Sequence, residues 1–345
     1  METRLASGRV DNTFLARKNA HERDSRIVFD EEPHLYYIDG STEGYVSVTT
    51  YVHSHFESFD ADRIIANMMK SKRWESNEKY YGKTPEQIKK EWQDNCDKAA
   101  ADGTRMHFVI ESFYNEKYNP DSMLHNIDPL YDYDDDEKDD DDVEEESEQV
   151  IDELDREELG LVPYETKGLG LGLGQGGSDK ITNALPSSSS ISLTGTSIEF
   201  SYFLNFLHDH PHLIPYRTEW TVFHEELKLA GSIDMLFFDE STYKYHIYDW
   251  KRCRNIQKSN PFDKWGNKEC INHFPDTNFW HYSLQLNIYK AILERKYNMT
   301  IDGLFLVCLH PNNKNSNYIK LKAPNLQEEV SDLFALRSLD LEIHI

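Results

Sequence analysis

The sequence is poor in cysteine, which limits the kinds of site that it can hold. Only four cysteines occur among 345 residues, and no two of them have the CxxC spacing used by many zinc and iron–sulfur sites. They are Cys96, Cys253, Cys270 and Cys308. A disulfide framework is also unexpected in a chain of this length. We therefore expect neither an iron–sulfur cluster nor a cysteine-ligated zinc ion.

The sequence also lacks a long apolar run. No stretch approaches the roughly 18–20 apolar residues of a membrane-spanning helix. The N-terminal stretch METRLASGRVDNTFLARKNAHERDS is charged and contains no apolar signal-peptide core. We expect a soluble, intracellular protein that does not bind membranes.

Positive charge is scarce as well. The chain has 37 Lys and Arg residues against 62 Asp and Glu residues, for a net charge of −25. Such a balance opposes nucleic-acid binding only where the acidic residues lie close to the binding surface. Residues 132–158 alone contain 18 acidic residues against Lys138 and Arg156, a net charge of −16. The rest of the chain is mildly acidic, so a nucleic-acid partner is not excluded.

The composition divides the chain into three parts. Residues 1–25 predict a flexible N-terminal arm. Residues 128–196 form an insertion in which an acidic block is followed by GLGLGLGQGG and PSSSS. This low-complexity composition buries too little apolar surface to offset the entropy of ordering, so we expect disorder there. Residues 26–127 and 197–345 are expected to fold together as one domain that the insertion interrupts.

Local patterns outside the insertion predict an α/β fold with a small mixed β-sheet flanked by helices. RIVFDEEPHLYYIDG predicts two short strands, and YVSVTTYV a β-branched strand. Helices are predicted to begin at Asp60 and at Thr84, where Gln87 completes a capping-box signature. The pattern that begins at Thr84 runs on as one long helix or as two, with Gly103 as the joint in the second case. The later elements are the helix SIEFSYFLNFLHDH, the strands YRTEWTVFHE, LKLAGSIDMLFFD and KYHIYDWKR, the helix NFWHYSLQLNIYKAILERKYN, the strands IDGLFLVCLHP and NYIKLKAP, and a C-terminal helix.

Two acidic residues and a lysine suggest a metal site at one edge of this sheet. Asp249 and Lys251 share a face of their strand because side chains alternate along it. A turn near Glu240–Thr242 would bring Asp234 to the same edge. Carboxylates that converge repel each other unless a cation lies between them, and their hard oxygen atoms favour Mg²⁺ or Mn²⁺. Lys251 could then hold or deprotonate a water molecule, or stabilise phosphorane charge. The alternative is a structural Asp–Lys pair.

Further polar side chains occur at spacings that suit such a site. Some lie on predicted helices at one-turn intervals, and one lies between apolar residues of a strand. They are the helical pair His107 and Glu111, the strand residue Glu219, and the helical stripe Tyr282, Gln285 and Tyr289. A helical stripe is more often core, but polar tips on it suit phosphate and base contacts.

The order of these motifs resembles the RecB branch of the PD-(D/E)XK nuclease superfamily. This branch includes phage-type recombination exonucleases, CRISPR-associated RecB-like nucleases and the mitochondrial genome-maintenance exonuclease. The resemblance covers residues 26–127 and 197–323. The motifs that carry it are GT-x-x-H at Gly103–His107, E-W at Glu219–Trp220, G-x-I-D at Gly231–Asp234, D-x-K at Asp249–Lys251 and Q-L-x-x-Y at Gln285–Tyr289.

The resemblance implies a PD-(D/E)XK restriction-endonuclease-like core and assigns roles to individual residues. His107, Asp234, Asp249 and the backbone carbonyl of Trp250 would bind Mg²⁺ or Mn²⁺. Lys251 would be the catalytic lysine, acting with Asp234 and Asp249, and Glu219 would support the same metal or a second one. The implied DNA contacts are Tyr282, Gln285, Tyr289, Arg252 and Arg254, of which Gln285 and Tyr289 would orient Lys251 or the DNA backbone. Relatives with an iron–sulfur cluster have a cysteine pattern that is absent here, so none is expected.

The function expected from this combination is a metal-dependent DNA nuclease. An exonuclease acting on single-stranded or duplex DNA ends, in repair, recombination or replication, is favoured over an endonuclease. One alternative is a nuclease-fold protein that binds DNA without cutting it, and another is an interaction protein built around the acidic segment. A homo-oligomeric state is left open. The richness in Asn and Tyr suits a large DNA virus, which would place the protein in the host cell or the virion.

Overall fold

The computed structural model describes residues 13–31, 33–119 and 197–343, and the predicted insertion lies outside them. The helices are α1 (Phe14–Lys18), α2 (Val48–His53), α3 (Ala61–Lys70), α4 (Pro85–Tyr118), α5 (Ile198–Asp209), α6 (Asn278–Lys296) and α7 (Gln327–Ile343). The strands are β1 (Ile27–Asp30), β2 (Leu35–Ile38), β3 (Val46–Ser47), β4 (Leu213–His224), β5 (Leu229–Asp239), β6 (Lys244–Lys251), β7 (Ile301–Cys308) and β8 (Ile319–Lys322).

The larger sheet is mixed. Strands β4, β5 and β6 are antiparallel neighbours, β7 runs parallel to β6, and β8 is antiparallel to β7. Strand β3 pairs in parallel with the first two residues of β5, Leu229 and Ala230. It lies on the same side of β5 as β6, which pairs with the later residues 235–239. Strands β1 and β2 form a separate hairpin. The expected α/β class with a small mixed sheet is therefore confirmed.

Helices cover both faces of this sheet. On one face, α2, α6 and α7 enclose an apolar cluster with strand residues such as Trp220 and Leu236. On the other face, α1, α4 and α5 pack against residues such as Met235 and Trp250. Burial of these apolar surfaces fixes the position of α4 relative to the strands, and with it the position of His107. No helix in the described ranges combines the length and apolar character needed to cross a membrane.

Helix α4 begins as the sequence predicts. The Thr84 hydroxyl accepts a hydrogen bond from the Gln87 backbone N–H, and the Gln87 side chain accepts one from the Thr84 N–H. The helix then continues for 34 residues through Gly103. Of the two alternatives, the structure therefore has one long helix without a joint at Gly103, because one glycine costs a helix only about 1 kcal/mol, which the packing of the later turns outweighs.

Two predictions about the N-terminal region are wrong. Residues 13–25 were expected in a flexible arm, but α1 packs against the sheet and Leu15 is completely buried. Residues 1–12 lie outside the described ranges. The stretch YVSVTTYV was expected as a strand, but only Val46–Ser47 is extended and α2 follows. The Ser47 hydroxyl caps this helix by accepting the Thr50 N–H, and the favourable cap outweighs the β preference of the branched side chains.

Candidate functional site

The candidate site lies where β5 and β6 stop pairing. The last residue pair of their ladder is Met235–Tyr248, and Asp234 and Asp249 are the next residues on the two strands. The Asp234 Oδ2 atom accepts a hydrogen bond of 2.9 Å from the Trp250 backbone N–H. A side-chain carboxylate thus takes the place of a strand partner for this N–H. The end of the ladder therefore brings the two predicted carboxylates to one place.

Glu219 lies on β4 beside Asp234. The flanking pairs Thr218–Met235 and Trp220–Ile233 place it across the ladder from Asp234. Its φ angle is +41°, a left-handed conformation that costs a residue with a side chain about 1–3 kcal/mol and often marks functional sites. The Glu219 carboxylate accepts a hydrogen bond of 3.2 Å from the Ser232 hydroxyl. The strained backbone and this contact fix the direction of the carboxylate.

His107 reaches this group from α4. Its Nδ1 atom is 3.3 Å from Glu219 Oε1 and 3.6 Å from Asp234 Oδ2. Its Nε2 atom is 3.0 Å from the Trp250 carbonyl oxygen, which can only accept, so Nε2 carries a hydrogen and donates. Burial opposes a charge on the ring, but the carboxylates of Asp234 and Glu219 outweigh burial and raise the pKa of His107 to about 9.

The residues His107, Glu219 and Asp234 fit a divalent metal ion. Each offers one nitrogen or oxygen atom, and the three atoms lie within 4.8 Å of one another. Adjacent ligands of an octahedral ion with bonds of about 2.1 Å are about 3 Å apart, close to the Nδ1–carboxylate distances. The Nε2 hydrogen bond to the Trp250 carbonyl is also typical of a metal-binding histidine. This arrangement places the Trp250 carbonyl behind the ring rather than among the three ligand atoms.

Asp249 and Lys251 form a second unit beside the first. Lys251 Nζ is 2.7 Å from Asp249 Oδ2 and lies 4.6 Å from the centre of the Tyr282 ring. Burial raises the pKa of Asp249 to about 6, although the nearby ammonium of Lys251 opposes the shift. Burial also raises the pKa of Asp234, with Glu219 adding to it and His107 opposing it. Asp249 and Tyr282 thus hold the ammonium group in one position next to the carboxylates.

Tyr289 and Gln285 extend the site along α6, and their side chains are hydrogen-bonded to each other. Tyr289 packs on the backbone of Gly231, where a Cβ atom would stand 2.6 Å from the tyrosine oxygen. Only glycine avoids that clash, which explains the G-x-I-D motif in physical terms. Burial, the largest cause, raises the pKa of the Tyr289 hydroxyl well above its usual value, so it remains a neutral hydrogen-bonding group beside the carboxylates.

The structure distinguishes the two arginines predicted to contact DNA. The Arg252 guanidinium is held by Glu199 on α5 at 2.8 Å and by Asp102 on α4 at 3.3 Å. This residue joins two helices to the end of β6. Arg254 is exposed. Arg252 is thus held in ion pairs within the fold, whereas Arg254 is the more accessible of the two to a DNA strand.

Sequence reasoning missed several residues that support the site. Ser232 could have been found, because it lies two residues before Asp234 on the same strand. Glu199 and Asp102 gave no signal, since their link to Arg252 joins distant parts of the chain. Glu111, noticed only for its spacing from His107, has a pKa raised to about 8, by burial first and then by the charge of Glu219.

The comparisons with known proteins give no further guidance. No protein-family model matches the chain, and no curated protein matches its sequence. The function must therefore be inferred from the geometry of the site and the chemistry of its residues.

Proposed function

We propose that this protein is a metal-dependent DNA nuclease, with an exonuclease acting on DNA ends as the favoured form. The observation that carries the proposal is the convergence of His107, Glu219 and Asp234 within 4.8 Å, beside the ion pair of Asp249 and Lys251. Buried carboxylates with raised pKa values gain stability from a bound cation. In metal-dependent phosphodiester hydrolysis a cation activates water and polarises the phosphate, and a positioned ammonium beside it can stabilise the developing charge.

The donor atoms favour Mg²⁺ or Mn²⁺. Carboxylate oxygens suit both ions, and the His107 nitrogen suits Mn²⁺ better than Mg²⁺. His107, Glu219 and Asp234 would hold the ion, with Asp249 adjacent. A bound ion would neutralise developing charge on the phosphate and lower the pKa of a water molecule.

The chain's own residues would position the reacting groups. Lys251 would stabilise negative charge on the phosphate, because its ammonium is fixed between Asp249 and the Tyr282 ring. The Trp250 carbonyl would keep the His107 ring turned with Nδ1 toward the carboxylates. Gln285 would orient Tyr289, whose hydroxyl would donate to a site carboxylate or to the DNA backbone.

One observation favours the alternative of a DNA-binding protein that does not cut. The five charged side chains are already paired with each other, His107 with Glu219 and Asp234 and Lys251 with Asp249. A site whose charges are satisfied internally has less need of an ion. The two functions differ in whether Mn²⁺ displaces the proton of His107.

Digestion of labelled DNA tests the proposal. Linear substrates labelled at the 5′ or 3′ end and a circular substrate would be incubated with Mg²⁺, Mn²⁺, Ca²⁺ or EDTA. We expect degradation of linear DNA with Mg²⁺ or Mn²⁺ and little turnover with Ca²⁺, whose looser coordination positions water poorly. Cutting of the circle would indicate an endonuclease. A gel shift without cutting would support the alternative, and cutting that persists in EDTA would contradict the metal site.

A further inference from the structure

Two large aromatic side chains are exposed in the segment that follows β6. Phe262 is 43% exposed and Trp265 is 45% exposed. Aromatic rings of this size usually contribute to a core or to an interface, because exposing them to water is unfavourable. Their exposure suggests that the rings have a partner in solution.

Hydrogen bonds fix the backbone at Phe262 and the indole ring of Trp265. The Phe262 backbone N–H donates to Asn260 Oδ1 at 2.8 Å, and the Asn260 amide donates to the Asp276 carbonyl at 2.8 Å. The Trp265 indole N–H donates to Asp263 Oδ1 at 2.8 Å. Since the backbone at Phe262 and the Trp265 ring are already ordered, binding through this segment costs less conformational entropy than binding through an unordered one.

The backbone around Trp265 is anchored as well. Trp265 forms an isolated antiparallel bridge with Pro275, and the next N–H, of Gly266, donates to the Phe274 carbonyl at 3.0 Å. Lys264 Nζ is 3.1 Å from Oε2 of Glu57, which lies between α2 and α3. The aromatic segment is therefore built into the domain rather than loosely attached to it.

The charge of this region is opposite to that of the chain. Residues 251–270, KRCRNIQKSNPFDKWGNKEC, contain six Lys and Arg residues and two acidic residues, whereas the whole chain carries −25. Basic residues interleaved with exposed aromatic rings are the combination that binds single-stranded nucleic acid, with phosphates on the cations and bases on the rings. Lys251, Arg252 and Lys264 are ion-paired with carboxylates outside the segment. The charge complementarity to a DNA strand therefore comes from the exposed residues Arg254, Lys258 and Lys268.

Helix α6 links this region to the catalytic lysine. Lys251 Nζ lies 4.6 Å from the Tyr282 ring centre, and Lys258 Nζ lies 4.6 Å from the Phe279 ring centre. Phe279 and Tyr282 are three residues, or about one helical turn, apart on α6, so both ammonium groups contact the same part of this helix. The Lys258 carbonyl also accepts the Trp280 indole N–H at 3.0 Å. Beyond Lys258 the segment passes the N-terminal end of α6, where Asn260 donates to the Asp276 carbonyl and Trp265 pairs with Pro275.

We propose that Lys258, Phe262 and Trp265 form a binding site for single-stranded DNA next to the catalytic centre. This inference rests on the proposed nuclease function and adds its substrate class, a strand with a single-stranded end. Lys258 contacts a phosphate of that strand, and Phe262 and Trp265 stack on its bases. Duplex DNA cannot use the two rings because its bases are already stacked and paired.

Binding in EDTA, where no cleavage takes place, tests this site separately from catalysis. A labelled single-stranded oligonucleotide and a blunt duplex of equal length would be titrated with Phe262→Ala, Trp265→Ala, the double variant and Trp265→Phe. Each alanine is expected to weaken single-strand binding about fivefold or more while duplex binding stays unchanged. Trp265→Phe should recover most of the affinity, because any aromatic ring can stack.

Tyr243→Ala is the matched control, because Tyr243 is 80% exposed in the turn between β5 and β6. It should bind both DNAs like the wild type. Unchanged single-strand affinity in the double variant, or an equal loss on duplex, would overturn the proposed site. A wild-type protein that cuts DNA but shows either result would leave the nuclease function standing. A wild-type protein that neither binds nor cuts DNA would overturn both proposals.

Discussion

Two groups, each with one histidine and two carboxylates, lie close enough to hold a metal ion in the described part of the chain. One consists of His107, Glu219 and Asp234, and the other of His224, Glu225 and Glu226. The first comes from one helix and two strands, so tertiary structure assembles it. The second is three consecutive residues at the end of β4 and the turn before β5.

The two groups differ in the cations around them. Glu225 accepts two hydrogen bonds from the Arg23 guanidinium, at 3.1 and 2.7 Å, and Lys296 pairs with Glu226. Burial opposes ionisation of Glu225, but the Arg23 hydrogen bonds outweigh it and lower its pKa to about 2. At the first group the balance is reversed, because burial raises the pKa of Asp234.

This comparison shows that residue types alone do not define a metal site. The carboxylates of the turn already have fixed cationic partners, and a metal ion would add little. Asp234 of the first group has a side chain only 11% exposed and its pKa remains raised despite the nearby His107, so a bound ion would lower its energy. The contrast can be tested at both groups with matched substitutions.

The largest expected difference is in DNA cleavage. Asp234→Asn should lower the cleavage rate by at least about a thousandfold, because it removes charge that stabilises the reaction. Glu226→Gln should stay within about twofold of the wild type. Single-turnover digestion with Mn²⁺ measures both.

A related variant tests whether the residues of the site act together. Combining Asp234→Asn with Asp249→Asn should reduce cleavage no further than either change alone. If Asp234→Asn and Glu226→Gln cut DNA equally well, the assignment of the site to the first group would be wrong.

Arg23→Ala should have the opposite profile, with a large effect on stability and none on the catalytic rate of the folded protein. Arg23 is 8% exposed, and its guanidinium also lies 4.1 Å from the Phe223 ring centre. Its loss leaves the Glu225 carboxylate without its main partner, which should lower the free energy of unfolding by about 2 kcal/mol. Urea denaturation gives this value. Adding Glu225→Gln to Arg23→Ala should restore part of the lost free energy of unfolding. An unchanged urea midpoint in Arg23→Ala would show that the Arg23–Glu225 pair does not anchor α1 and the following turn.

In the metal-free protein, the pH dependence of stability should have opposite signs at Glu111, which interacts with Glu219 and His107 of the first group, and at Glu225 of the second group. The folded pKa of Glu111 is about 8, above its unfolded value of about 4.3, so ionisation destabilises the fold as pH rises between these values. Glu111→Gln should therefore be more stable than the wild type at pH 8, by up to roughly 4–5 kcal/mol for this pKa difference, and the gain should vanish near pH 4. Melting curves in EDTA across this range are the measurement.

Glu225 provides the reversed case. Its folded pKa is about 2, below the unfolded value of about 4.3, so its contribution is present above pH 4.3 and is lost as pH falls toward 2. Glu225→Gln should be less stable than the wild type at pH 7, with a difference that shrinks on acidification. Parallel pH profiles of stability for Glu111→Gln and Glu225→Gln would contradict the opposite pKa shifts of these two residues.

The smallest expected effect concerns the helix that holds His107. A Cβ atom at Gly103 would meet nothing within 4 Å, so Gly103→Ala should stabilise the protein by about 0.5–1 kcal/mol through helix propensity. Cleavage should not change if the site needs only the position of His107. Loss of cleavage in a more stable Gly103→Ala protein would mean that α4 must flex at this glycine. Gly231→Ala is the contrast, because its Cβ would clash with Tyr289.

Local sequence signals predicted the elements better than they predicted the contacts. The Thr84 capping box and the strands that end at Asp239 and Lys251 could be identified, because caps, turns and alternation act over a few residues. The stretch after Val46 was misassigned although Ser47 is a good helix cap and Val48, Tyr51 and Val52 recur at helical spacing. In this stretch the helix cap and the helical spacing outweigh the β preference of the branched side chains.

The sequence by itself determined the types of the elements, the placement of Asp234 and Asp249 on consecutive strands and the spacing of Lys251 from Asp249. Tertiary structure decided that His107 meets Glu219 and Asp234, that Arg252 is held by two helices, and that Tyr289 needs a glycine at position 231. The physical reason is distance along the chain. Periodicity records which face of an element is apolar, but which distant element packs on that face depends on shape and burial across the whole core.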